Sequence, residues 1–112
     1  MKLPNADRVV VDLAKLRDYC LSATHPRGRH KARVFQSALG FTASDAELLR
    51  SALLDAARTE DANPSRRDAY GQRYVIDCNV TGQKGIATIR SFWIVRHGED
   101  FPRFNTCYVR SS

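Results

Sequence analysis

Paired cysteines, long apolar runs and glycine-rich loops are all missing from this chain, and each absence removes a class of protein. The three cysteines, Cys20, Cys78 and Cys107, are odd in number, far apart and without any Cys-x-x-Cys pair. Neither a disulfide framework nor a structural zinc site is built that way. They are expected as small buried hydrophobes in a reducing compartment. No apolar run extends beyond a few residues, Val9-Val10-Val11 being typical, against the ~20 needed to cross a bilayer. Met1-Lys2 leads into Pro4-Asn5-Ala6-Asp7-Arg8 rather than into an apolar leader segment. The expectation is therefore a cytoplasmic protein, or a module released from a longer parent, with no membrane partner. The glycine signatures of phosphate-binding nucleotide folds are absent, so no cofactor is expected.

What the chain does have is positive charge. Eighteen Lys and Arg against twelve Asp and Glu leave a formal charge of +6 and a pI near 9.7. That balance favours polyanionic partners, and the cations are spread along the chain rather than gathered in a tail. With 43% apolar and 27% charged residues in 112, the composition is that of one folded domain covering residues 1–112, not of a disordered segment.

Along the chain the apolar period changes once, from helical to strand-like. Val9-Val10-Val11 is β-branched and short, as in an edge strand. Asp12 supplies an N-cap for a helix from Leu13 to Leu21, in which Leu13, Leu16 and Cys20 recur at helical spacing. Ser22 to Gly28 is a loop, and a second helix runs from about Arg29 to Leu39, with Phe35, Ala38 and Leu39 inward and Gly40 at its C′ position. Ser44 and Glu47 form a capping box for a third helix ending near Arg58, with Leu49, Leu53 and Ala56 as its apolar stripe and Leu48 and Ala52 alongside. Thr59 to Asp68 is polar and reads as a loop. Beyond it Tyr74, Ile76, Cys78 and Val80 alternate with polar residues, Ile86 to Arg96 forms a second strand, and Arg103 to Val109 a third. Thr106 and Tyr108 are expected on the face opposite Arg103. Short connections make neighbouring strands antiparallel. The fold class is α+β: about three N-terminal helices packed on a three-stranded antiparallel meander, with a short N-terminal strand.

The densest chemical cluster is His25-Pro26-Arg27-Gly28-Arg29-His30-Lys31-Ala32-Arg33, six of whose nine residues are cationic or titrate near neutrality. Cations placed on a loop and a helix start suit a phosphodiester. Metal-free RNA cleavage needs such a set: one group to deprotonate the 2′-hydroxyl, one to protonate the leaving oxygen, and a cation for the phosphorane-like charge. The candidate catalytic residues are His25 for proton transfer, Lys31 at the scissile phosphate, and His30. Arg27, Arg29 and Arg33 are candidate RNA contacts, joined from the strands by Arg90 and Tyr108. Arg66-Arg67 reads as a solvated pair. A metal site is not expected: Asp77 is alone among the strand carboxylates, and His25 and His30 are five apart rather than four.

The segments Lys2-Leu3-Pro4-Asn5-Ala6-Asp7, Lys15-Leu16, Tyr19, His25-Pro26-Arg27-Gly28 and Lys31-Ala32-Arg33-Val34-Phe35 resemble a bacterial family of uncharacterised function. Ala87-Thr88-Ile89-Arg90, Trp93-Ile94, Pro102-Arg103, Thr106 and Tyr108 match its C-terminal half, and His-Pro-x-Gly-x-x-Lys-Ala is the most specific part. The family occurs as small standalone proteins, common in cyanobacteria, and as C-terminal modules of polymorphic toxins. It usually carries a small polar residue near His30. Helices followed by a meander are similar in architecture to the barnase–colicin–RelE class of metal-independent ribonuclease toxins. The resemblance implies a small toxin-like ribonuclease acting on cellular RNA and held by a small acidic antitoxin or immunity protein. The alternative is a non-catalytic RNA- or protein-binding module from such a gene pair.

Overall fold

The structure is a computed structural model, and residues 1–110 are described. A 3-10 turn, Ala6–Arg8, precedes α1 (Leu13–Lys15), which continues as a π-helical turn, Leu16–Cys20. Two full helices follow, α2 (Arg29–Leu39) and α3 (Ala46–Thr59), then four strands: β1 (Asn63–Asp68), β2 (Gly71–Gly82), β3 (Gly85–Arg96) and β4 (Arg103–Val109). The strands form one antiparallel sheet in sequence order. No helix among the described residues is long and apolar enough to cross a membrane.

The helix signals act as expected where they are local. Asp12 accepts from Ala14 N at 2.9 Å and starts α1. The α2 limits are Arg29 and Leu39, and Gly40 takes the left-handed conformation (φ 76°) that closes it. Two details differ. The Leu13–Leu21 helix is α-helical for one turn only, and the third helix is primed by Thr42 and Asp45 rather than by Ser44 and Glu47. Thr42 and Asp45 exchange side-chain and backbone bonds around a 3-10 turn, Ala43–Asp45, which leads directly into α3.

The sheet has four strands, not three. Asn63–Asp68, expected as a loop, pairs with β2 from Asn63↔Val75 to Asp68↔Gly71. It is an edge strand, and nearly all its side chains are exposed, so it carries no apolar alternation. Pro64 is tolerated there because an edge residue can go without a ladder donor. Val9-Val10-Val11 forms no strand. Val10 alone bridges to β4, donating to Pro102 O at 3.0 Å and accepting from Phe104 N at 2.8 Å.

One core joins the layers. Phe35 and Leu39 of α2, Leu49 and Leu53 of α3, Leu16 of the π-turn, and Ile76, Ile89, Trp93 and Phe104 of the sheet are all buried in it. Leu48, expected beside this stripe, is exposed instead. Cys20, Cys78 and Cys107 are free thiols and buried. Trp93 packs edge-on against Phe104 (5.4 Å between centroids), and its Nε1 donates to Ser91 Oγ at 2.9 Å. Ser91 Oγ in turn donates to Ile76 O at 3.0 Å, so this buried polar chain is satisfied throughout.

Two measurements check these assignments. Trp93→Ala removes a fully buried indole and should lower stability by about 3–5 kcal/mol in urea unfolding; a wild-type midpoint would overturn the core assignment. The second concerns β1. Asp68 accepts from Arg73 Nε at 2.7 Å, from Tyr70 N at 2.9 Å and from Arg66 Nε at 3.1 Å. The Arg73 hydrogen bond leads in pulling its carboxyl down to about 2. A carboxyl depressed by folding stabilises the folded state above its ordinary pKa, and that stability is lost as pH falls from there towards about 2. Hydrogen-exchange protection of β1 amides should fall over that window, and Asp68→Asn should abolish the pH dependence.

Candidate nucleic-acid cleft

Both edge strands carry a β-bulge at the level of the central Tyr74–Trp93 pair. In β1, Ser65 and Arg66 together oppose Arg73; in β4, Asn105 is the extra residue between Phe104↔Trp93 and Thr106↔Phe92. A bulge bends its strand and re-aims the side chains around it. Here the re-aimed residues meet. Ser65, Arg66, Arg73, Phe92, Asn105, Thr106 and Tyr108 line a cleft of about 480 Å³, and Lys31 of α2 enters it. The β4 bulge also reverses the expected alternation. Arg103 pairs with Ile94, Thr106 with Phe92 and Tyr108 with Arg90, so Arg103, Thr106 and Tyr108 share one face instead of opposing each other.

Of the expected catalytic residues, Lys31 is the one that lines this cleft. Its Nζ donates to Thr106 Oγ1 at 3.2 Å and lies 5.3 Å from the centre of the Tyr19 ring. Among the described residues no carboxylate lies within ion-pairing distance of it. Beneath Thr106 lies Cys20, with Sγ 3.7 Å from Thr106 Oγ1. A hydrogen bond with the Cys107 thiol is the main cause holding the Cys20 thiol below its ordinary range, helped by Thr106 and by the Lys31 charge. Cys107, the other member of this buried pair, is pushed up.

His25 does something other than face the cleft. Its Nδ1 accepts from Arg27 N and Gly28 N, both at 3.0 Å, and its carbonyl accepts from Arg29 N. The imidazole is thus the cap of the turn that starts α2. An accepting Nδ1 carries no proton, so the neutral ring holds its hydrogen on Nε2. The ring edge packs on Tyr19 at 4.7 Å, which places His25 behind the residue that flanks Lys31. Gly28 is required by the same packing, since a Cβ there would lie 2.1 Å from Tyr19 O.

The remaining candidates are dispersed. Arg27, His30, Arg29 and Arg33 are exposed. Arg29 and Arg33 line a separate cleft with Leu21, Gln36 and Phe41, because two residues along a helix is about 200° around it from Lys31. Arg90 makes a two-pronged ion pair with Asp77 (2.9 and 3.0 Å), which Arg110 joins at 3.0 Å. That pairing raises the Arg90 pKa, with the Tyr108 hydroxyl contributing. Arg90 is therefore engaged by a carboxylate beside its cross-strand partner Tyr108 rather than free for a phosphate. Tyr108 itself lies in the cleft, stacked on Phe92 (5.7 Å, 28° between planes). Sequence reasoning missed Arg66, Arg73 and Asn105 as members of the site, since bulges break the period-two pattern that assigns faces. Among the described residues no three His, Cys, Asp or Glu side chains converge to hold a metal ion.

The cleft thus unites three cations (Lys31, Arg66, Arg73), one neighbouring carboxylate (Asp68), hydroxyls and a stacked aromatic pair. Such a surface takes an anion next to a flat ring, as in a nucleotide. The chain belongs to a family described as a domain of unknown function, DUF6883, whose profile matches residues 2–111. Its fold is similar to that of a chain in a "Contact-dependent growth inhibition toxin - immunity protein complex" from Klebsiella pneumoniae 342. The TM-score is 0.68 at 18% identity, covering 90% of this chain and 99% of that one. No curated protein matches the chain.

The capping role of His25 is checked by unfolding. His25→Ala leaves two N–H groups without an acceptor and should cost about 0.5–2 kcal/mol, as other lost caps do. Gly28→Ala should cost more, although alanine normally favours a helix start, because its Cβ collides with the Tyr19 carbonyl. Equal or greater stability in Gly28→Ala would refute the close approach.

Proposed function

We propose that the protein is a small metal-independent ribonuclease of toxin type, with the scissile phosphate held in the sheet cleft against Lys31. The observation that carries this reading is the convergence of Lys31, with no carboxylate partner among the described residues, and the Phe92–Tyr108 stack in one cleft. Cleavage forms a bond from the 2′-oxygen to phosphorus and breaks the bond from phosphorus to the 5′-oxygen. The 2′-hydroxyl proton passes to a non-bridging phosphate oxygen. The Lys31 ammonium offsets the charge that develops on the phosphorane. Tyr108, opposite Arg90 on the neighbouring strand, gives its hydroxyl proton to the departing 5′-oxygen and recovers one from the phosphate. His25 and Tyr19 act as positioning residues for Lys31. Arg27, Arg29, His30 and Arg33 steer the polyanion from outside the cleft.

The similarity to a chain from a toxin–immunity complex supports the toxin reading at the level of fold. An acidic immunity or antitoxin protein covering the cleft fits the net charge of +6, and cellular RNA as target fits action in the cytoplasm. A second reading, a non-catalytic RNA- or protein-binding module, is favoured by one observation: no histidine lines the cleft, and His25 is engaged as a cap.

The discriminating experiment is cleavage of total cellular RNA in EDTA by wild type, Lys31→Met and Tyr108→Phe at equal concentration. Wild type should cleave, leaving 2′,3′-cyclic phosphate ends, and each variant should lose about 10²–10⁴-fold in rate. Both variants should give wild-type circular dichroism. Full activity in both would sink the site assignment, and an inactive wild type would favour the binding module.

A further inference from the structure

The β4 bulge leaves Asn105 as the one residue of its strand segment without a partner in β3, and it lines the cleft beside the Phe92–Tyr108 stack. It is exposed, and its amide makes no hydrogen bond to any described residue. Asparagine is disfavoured in strands, and nothing in the packing requires it. A side-chain amide offers one donor and one acceptor side by side, the pattern that recognises a base edge in bidentate fashion. On the opposite side of the cleft, the β1 bulge brings Ser65 and Arg66 beside Arg73. The two bulges thus frame one aromatic platform with a polar reader on one side and cations on the other.

The cleft volume of about 480 Å³ falls in the range of roughly 300–1,000 Å³ usual for small-ligand sites, which is room for about one nucleotide and not for a duplex. A base inside an A-form helix keeps both faces stacked and its major-groove edge out of reach of side chains, whereas an unpaired base exposes a face and an edge together. We propose that the cleft selects a single unpaired RNA base, stacked on Phe92–Tyr108, and that Asn105 reads its hydrogen-bonding edge. Substrates are then single-stranded loops or ends, with base preference set by one side chain. This rests on the nucleic-acid reading of the cleft, but not on its being catalytic.

The test uses short single-stranded RNA oligonucleotides that differ only in one central base. Deoxyribose at that nucleotide removes the 2′-hydroxyl and so blocks cleavage there. Binding is read by fluorescence anisotropy at low salt. Wild type should prefer one base over the worst by roughly tenfold or more, the usual yield of a bidentate contact. Asn105→Ala should level the four affinities, and Asn105→Asp, which only accepts, should shift preference towards guanine, whose N1–H and N2–H₂ both donate. Phe92→Ala should weaken binding to all four without changing their order. Thermal unfolding confirms that the Asn105 variants fold, as expected for an exposed residue with no bonded partner among the described residues. Equal affinity for every base in wild type, unchanged discrimination in Asn105→Ala, or stronger binding to duplex RNA would overturn the proposal. All-ribose oligonucleotides in EDTA separate the two readings. Base discrimination without cleavage keeps the Asn105 assignment and removes the ribonuclease, while no binding to any oligonucleotide removes both.

Discussion

Burial of Trp93 is the constraint around which the rest of this small domain is arranged. The indole is 1% exposed, sits mid-sheet between Tyr74 and Phe104, and satisfies its only polar atom through Ser91. Both edge strands carry their extra residue at this level, so the sheet bends around its bulkiest side chain. The bend has a consequence beside the indole, where residues that regular strands would hold apart converge with Tyr74 and Trp93 into the cleft. Core packing and site geometry are one problem here: what fills the inside shapes the outside.

Charge is distributed over the sheet with the same economy. Asp68 holds Arg66 and Arg73, and Asp77 holds Arg90 and Arg110. Each guanidinium is thereby oriented and partly neutralised before any ligand arrives. Lys31 is different. Its ammonium is held by a hydroxyl and the face of a ring, partners that fix position without cancelling charge. An incoming phosphate would meet its largest uncompensated field there. Lys31 differs in this from the arginines of α2, which project to solvent or to another cleft.

The segment His25–Gly28 links this electrostatics to folding. His25 closes the turn that starts α2, Gly28 lets that turn press on Tyr19, and Tyr19 lies against Lys31. The His-Pro-x-Gly-x-x-Lys pattern is therefore a single device: its first residues build a platform for the last. That explains the spacing without assigning the histidine to chemistry, and it makes the cleft as stable as the helix start beneath it.

The sequence by itself determined the elements whose signals are local. Helix α2 and its Gly40 terminus, the Asp12 cap and the inward row Tyr74, Ile76, Cys78 and Val80 depend on residues a few positions apart, and so did the recognition of Lys31 as a cation at a helix start. Strand β1 was hidden because an exposed edge strand needs no apolar alternation; only pairing with β2 makes Asn63–Asp68 a strand. The same holds for the site. Arg66, Arg73, Phe92 and Asn105 are scattered over four strands, and two bulges shift the faces that a period of two would assign. His25 looked like a base by its type and became a cap by its contacts. Which face a side chain occupies, and whether its lone pair is already used, are properties of the packed chain; tertiary structure alone could decide them.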